Sequence, residues 1–155
     1  MRLGLILSAV LTLLIFLVSE ATAQNGTITI PNGNITMNIT TGAAGSQPVA
    51  DVDVTGTLRY WRKAAIARVT VQTSCAGQRF TLKVLATGVT RGVAAPEVTL
   101  INGALAVNLI TNIPSAAGWT SATVTLQYTA SATFAQGNSA ELGNDVHTVT
   151  YTLQQ

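Results

Sequence analysis

The chain has 155 residues, of which 48% are hydrophobic and only 9% charged, with a formal net charge of +2. So small a positive charge excludes the electrostatic footprint of a nucleic-acid binder, and the abundance of Val, Ile and Thr excludes a disordered chain. A chain of this length supports one domain rather than two.

Arg2 precedes an apolar run at residues 3–18, which is followed by Ser19-Glu20 and the small triplet Ala21-Thr22-Ala23. The order basic, apolar, A-x-A is that of a secretory signal peptide, which predicts cleavage before Gln24 and a secreted protein, extracellular or at the cell surface. Membrane contact is expected only through the uncleaved leader, because no later apolar run approaches about eighteen residues. The 132 residues after Ala23 include twenty-two threonines, a β-former suited to solvent-facing strand positions. Their seven basic residues all fall between Arg59 and Arg91, and the flanks carry only acids. Cys75 is the single cysteine, so an intramolecular disulfide is impossible and a buried, inert thiol is expected.

Residues 26–40, GTITIPNGNITMNIT, alternate in two runs about Asn32-Gly33. Two arrangements satisfy this pattern. In a two-residue hairpin, Ile30 faces Ile35 and Ile28 faces Met37. In an extended arm, Ile28, Ile30, Ile35, Met37 and Ile39 fill a groove on another copy by strand addition. Residues 41–48 are small and flexible enough to tether such an arm. The expected organisation is a signal peptide at 1–23, a β arm or hairpin with its tether at 24–48, and a sandwich domain at 49–155. Asn25, Asn34 and Asn38 each begin an N-x-T sequon and are read as polar-face filler.

Val52, Val54, Gly56, Leu58 and Tyr60 form the next apolar row, and Ala65, Ala67, Val69 and Val71 continue it beyond Arg62-Lys63. This predicts a hairpin pairing Tyr60 with Ala65, Leu58 with Ala67 and Val54 with Val71. Residues 79–87 add a strand with Phe80, Leu82, Val84 and Ala86 inward. Asn102-Gly103, at the centre of residues 97–110, predicts a second hairpin with Leu100 against Leu105 and Val98 against Val107. Residues 122–134 alternate for thirteen positions, from Ala122 to Phe134. A strand so long is expected to bend or to serve two sheets. In the last strand, 146–153, His147, Val149, Tyr151 and Leu153 share a face. About nine strands and no helix predict an all-β protein, a single Ig-like or jelly-roll-like antiparallel β-sandwich.

Little of the sequence carries chemistry. His147 has Asp145 two residues away, but there is neither a G-x-S-x-G elbow nor a cysteine next to the histidine, so a structural role is expected and no enzyme. No cofactor is expected. Asp51, Asp53 and Thr55 match the first half of a calcium loop, yet the twelfth position is Arg62 instead of Glu, so a strand with its carboxylates on the solvated face is expected. Arg59-Tyr60-Trp61-Arg62-Lys63 places Arg59 and Trp61 on the outer face. Three readings stay open there: a polar face with an arginine stem over Trp61, a subunit contact, and a glycan or anionic surface.

A leader peptide, a Thr-rich single sandwich, an alternating N-terminal arm and the terminal strand DVHTVTYTL together resemble the small secreted pilin-like subunits of surface fibres, including those that exchange donor strands. The resemblance implies a non-enzymatic structural subunit of an extracellular filament, such as a fimbria, or of a surface layer. Its partners would be copies of itself, joined through Ile28, Ile30, Ile35, Met37 and Ile39. Many such pilins carry a cysteine pair and a tyrosine next to the end, whereas this chain has Cys75 alone and ends in Leu153-Gln154-Gln155. The alternative expectation is a secreted monomeric module that binds a glycan or anionic surface through Arg59, Trp61, Arg62 and Lys63.

Overall fold

Among the described residues the alternating runs become nine strands: β1 (Gly26–Thr29), β2 (Asp51–Arg62), β3 (Ala67–Ser74), β4 (Thr81–Thr87), β5 (Val93–Ala94), β6 (Val98–Leu100), β7 (Val107–Ile113), β8 (Ala122–Ser131) and β9 (Thr148–Gln154). The structure, a computed structural model, describes residues 26–39, 45–63, 66–115, 121–136 and 143–154. The expected signal peptide, residues 41–44 of the expected tether and Ala65 lie outside them. A five-stranded sheet in the order β1-β2-β8-β4-β6 faces a four-stranded sheet in the order β5-β7-β3-β9. All ladders between the strands are antiparallel. The protein is an all-β sandwich.

β8 is the centre of the larger sheet, with β2 on one side and β4 on the other. Ala122, Val124, Leu126 and Tyr128 are buried while Thr123 is exposed, as the period of two requires. The strand neither bends between sheets nor reaches Phe134. It stops at Ser131, and a 3-10 turn at Phe134–Gln136 leaves Phe134 60% exposed. Inward residues of the larger sheet, among them Leu58, Tyr60, Val84, Val124 and Leu126, meet Val69, Val71, Leu109, Ile110, Ile113 and Tyr151 of the smaller one.

Neither hairpin expected beyond residue 50 forms. Leu58 pairs with Val124 of β8, and Ala67 pairs with Ile113 of β7. Leu100 and Val98 pair with Leu82 and Val84 of β4, while Leu105 is 90% exposed and Val107 48%. At both places the chain crosses from one sheet to the other. A hairpin and a crossing arch both turn two apolar rows toward one core, so alternation cannot tell them apart. From β2 to β9 every connection crosses, which is the wrapping of a jelly roll and differs from the same-sheet neighbours of an Ig sandwich.

β2 also departs from strict alternation. Asp53 pairs with Tyr128 and Gly56 with Leu126, so β2 advances three residues where β8 advances two. This bulge flips the parity upstream of it. Val52 and Val54, expected inside, are 51% and 56% exposed, and Asp51 and Asp53, expected on the solvated face, are half-buried. A second irregularity between β3 and β7 places Asn112 at φ 52°, a left-handed conformation that asparagine tolerates.

Substitutions should follow the bulged parity. Leu58→Ala is expected to cost about 2–5 kcal/mol in urea unfolding. Val52→Thr and Val54→Thr are expected to stay within about 0.5 kcal/mol of the parent, as outward positions do.

Candidate functional site

A sandwich leaves its edge strands open, and the N-terminal arm covers one of them. Gly26, Thr27, Ile28 and Thr29 pair with Arg62, Trp61, Tyr60 and Arg59 of β2. Farther along, the Asn32 side-chain amide donates to the Thr55 carbonyl (3.3 Å), and the Asn38 backbone N–H donates to Asp51 Oδ2 (2.6 Å). The segment therefore runs on beside β2 and does not fold back, so the hairpin at Asn32-Gly33 does not form. Pro31, which lacks an N–H and would weaken a turn there, sits at the bend where the ladder ends.

Ile28, Ile30, Ile35 and Met37 are half-buried against the core, and Ile39 is half-buried as well. Residues 31–34 are exposed, and across them the inward parity changes from even to odd numbers. Asn32 of this jog lies against Thr55, within the bulge of β2, where the parity of β2 also changes. The two irregularities match, which keeps the apolar row of the arm turned inward along its whole length. At Gly26 the approach is too close for a side chain: a Cβ would lie 2.6 Å from the Trp61 carbonyl oxygen and 2.8 Å from Leu153 Cδ2. The start of the arm thus touches β2 of one sheet and β9 of the other.

The floor of this seam is polar at one point. Gly56 packs where a Cβ would meet Leu126, Tyr128 and Ile35 at 3.2–3.3 Å. The hydroxyl of Tyr128 lies 2.6 Å from that of Tyr151, linking the two sheets through a buried pair. Burial pushes both phenols above their ordinary titration range, and for Tyr151 the neighbouring phenol adds to the rise.

The basic and aromatic surface is only partly as expected. Arg59 and Lys63 are exposed and Trp61 is half-buried, but Arg62 is 3% exposed. The strand continues through Arg62, so the alternation that turns Leu58 and Tyr60 inward turns Arg62 inward too.

At the other end of β3, three residues that the sequence kept apart come together. The β3–β9 ladder ends with Ser74 opposite Thr148, and one step farther Cys75 faces His147, with Asp145 two residues upstream on the same side. Ligand atoms of Cys75, Asp145 and His147 all lie within 4.8 Å of one another. Thr73 Oγ1 is 3.1 Å from His147 Nδ1, and Asp145 Oδ2 accepts the backbone N–H groups of Arg79 (2.9 Å) and Phe80 (2.8 Å). The neighbouring Val146 backbone favours the Cys75 thiolate. Gln78 and Asn102 close the rim, with Asn102 Oδ1 accepting from the Cys75 N–H (2.9 Å). Burial, then the Asp145 charge, push the Cys75 thiol up. Burial pulls His147 down, partly opposed by Asp145. Cys75 is buried, as expected; its contact with His147 was missed. The usable signal was that Cys75 continues the inward parity of Val69 and Val71, and His147 that of Val149 and Tyr151. Only the pairing of β3 with β9 was lacking.

No protein family, no curated protein and no solved structure matches the chain.

The tyrosine pair makes a double-mutant prediction. Tyr128→Phe or Tyr151→Phe alone leaves a buried hydroxyl without its partner and is expected to cost about 1–3 kcal/mol, whereas the double substitution should cost less than the sum. Because folding raises both phenol pKa values, their contribution is complete below about pH 10, where free tyrosine titrates, and declines as pH rises further. Urea midpoints measured against pH should show that alkaline decline, and it should shrink in the double variant.

Proposed function

We propose that the protein is a structural subunit of an extracellular filament or surface layer, and that its N-terminal arm is the strand exchanged between subunits. One observation carries this reading: the chain's first described strand, joined to β2 by a ladder of only four residues, fills the seam between the edge strands of the two sheets. The contacts made by Ile28, Ile30, Ile35, Met37 and Ile39 require no particular covalent connection to residues 49–155. An arm from a neighbouring copy makes the same contacts at the same geometry, and each subunit then passes its own arm onward. A head-to-tail exchange of this kind produces a fibre wherever its rotation does not close a ring. Each half-buried Ile or Met in the seam contributes about 1 kcal/mol, so the row as a whole can hold a subunit in place. A secreted glycan-binding module is the weaker reading, because Arg62 is turned away from the surface that Arg59, Trp61 and Lys63 would have to provide.

The test is negative-stain electron microscopy of the chain from Gln24 onward beside the variant Gly26→Val, whose side chain has no room against the Trp61 carbonyl. Filaments from the parent and none from a variant that still shows a β-sheet circular dichroism spectrum are expected. Monodisperse single particles from the parent would overturn the proposal. A second arm uses the chain from Gln47 with a synthetic peptide of residues 24–40. The peptide is expected to raise the melting temperature of the shortened chain, and a peptide carrying Ile30→Asp is expected to fail.

A further inference from the structure

We propose that Cys75, Asp145 and His147 form a binding site for a divalent ion of the zinc class, with water as the fourth ligand. The donor set is a thiolate, an imidazole and a carboxylate, the mixture that suits Zn²⁺ better than the hard ions Ca²⁺ or Mg²⁺, which take oxygen ligands. Three such donors around one tetrahedral zinc stand roughly 3.3–3.7 Å apart, given zinc–ligand distances of about 2.0–2.3 Å. Here they lie within 4.8 Å of one another, so closure by about 1 Å on binding completes the set.

The residues behind the donors are arranged as a metal site needs them. The Asp145 carboxylate is anchored through Oδ2 by two backbone N–H groups, which leaves Oδ1 as a ligand. The Thr73 hydroxyl holds the His147 ring. Outer contacts of this type orient ligands and raise metal affinity. The framework beneath is a seven-pair antiparallel ladder whose end Cys75 and His147 directly follow, and Asp145 accepts from Phe80, next to the start of β4 in the opposite sheet. Cys75 is buried, while Asp145 and His147 are half-buried, which gives a hydrated ion access from one side. On binding, the Cys75 S–H bond is replaced by an S–Zn bond, the thiol proton passes to solvent, and all but one of the waters of the hydrated ion are released.

The site is distinct from the arm and is tested without reference to assembly. The chelator-treated protein is titrated with Co²⁺ as a spectroscopic probe for zinc. Saturation at one equivalent is expected, with a thiolate-to-cobalt charge-transfer absorption and the visible bands of tetrahedral cobalt, all lost on adding Zn²⁺. Cys75→Ser should remove the charge-transfer absorption, and His147→Gln should weaken binding by about tenfold or more. Added Zn²⁺ should raise the melting temperature of the parent and leave that of Cys75→Ser unchanged. A parent protein that is folded by circular dichroism yet shows no saturable cobalt spectrum overturns the proposal. So does a spectrum that persists in folded Cys75→Ser, since the ion would then sit elsewhere. The first of these outcomes is read on the parent alone and does not depend on any variant folding.

Discussion

The seam between β2 and β9 is the constraint on which the rest of the structure depends. Two stacked sheets bury their facing sides and leave apolar side chains open along the edges, and an edge strand also presents unpaired N–H and C=O groups. Here the covering piece is the arm that begins at Gly26. For its apolar row to stay inward over residues 28–39, the arm must follow β2 through the bulge at Asp53–Gly56, and it does so by jogging at residues 31–34. The glycines at 26 and 56 matter for the same reason, since each admits a neighbour where a Cβ would crowd it.

The crossing connections fasten the two sheets to each other. Because each step from β2 onward passes to the opposite sheet, every strand pairs with partners far away in the chain, and both sheets are fastened by long-range ladders. β9 is the clearest case. Its far end carries Leu153, against which the arm begins, and its near end leads into Asp145 and His147. The Lys83–Glu97 ion pair at 3.0 Å, partly exposed on the outer face, contributes little by comparison with the core. Such a topology is held by apolar burial and by a few buried polar links, chiefly the Tyr128–Tyr151 pair and the Tyr60 hydroxyl that donates to the Arg91 carbonyl.

The arm and the cluster of Cys75, Asp145 and His147 lie at opposite ends of the molecule. The arm meets the sandwich beside Arg62 and Leu153, whereas Cys75 and His147 lie past the other end of the same β3–β9 ladder. An ion held there would fasten β9 to the start of β4 through Asp145, and so stiffen the strand whose far end borders the arm. Strand exchange itself requires only that the seam keep its shape when its own arm leaves.

Strand identity was legible in the sequence because side-chain direction in a strand is a local property, set by a period of two. That is why β4, β8 and β9 fall where the alternation of Leu82, Val84 and Ala86, of Ala122 to Tyr128, and of Val149 and Tyr151 places them. The inward row Ile28, Ile30, Ile35 and Met37 was legible for the same reason, although its backbone path was not. Pairing is not local. Asn102-Gly103 reads as a hairpin turn, yet it carries the chain between sheets, since the partners of Leu100 and Val107 are chosen by which strands lie next to them in space. The bulge that turned Val52 and Val54 outward exists only in the register of β2 against β8. Arg62 was misplaced for want of the strand's true end. The sequence by itself determined the all-β class, the apolar rows of the arm, β4, β8 and β9, and the buried thiol. The tertiary structure alone decided that the arm lies along β2, that consecutive strands occupy opposite sheets, and that Cys75 meets His147 across seventy-two residues of chain, because each of these is a contact between segments whose sequences carry no information about one another.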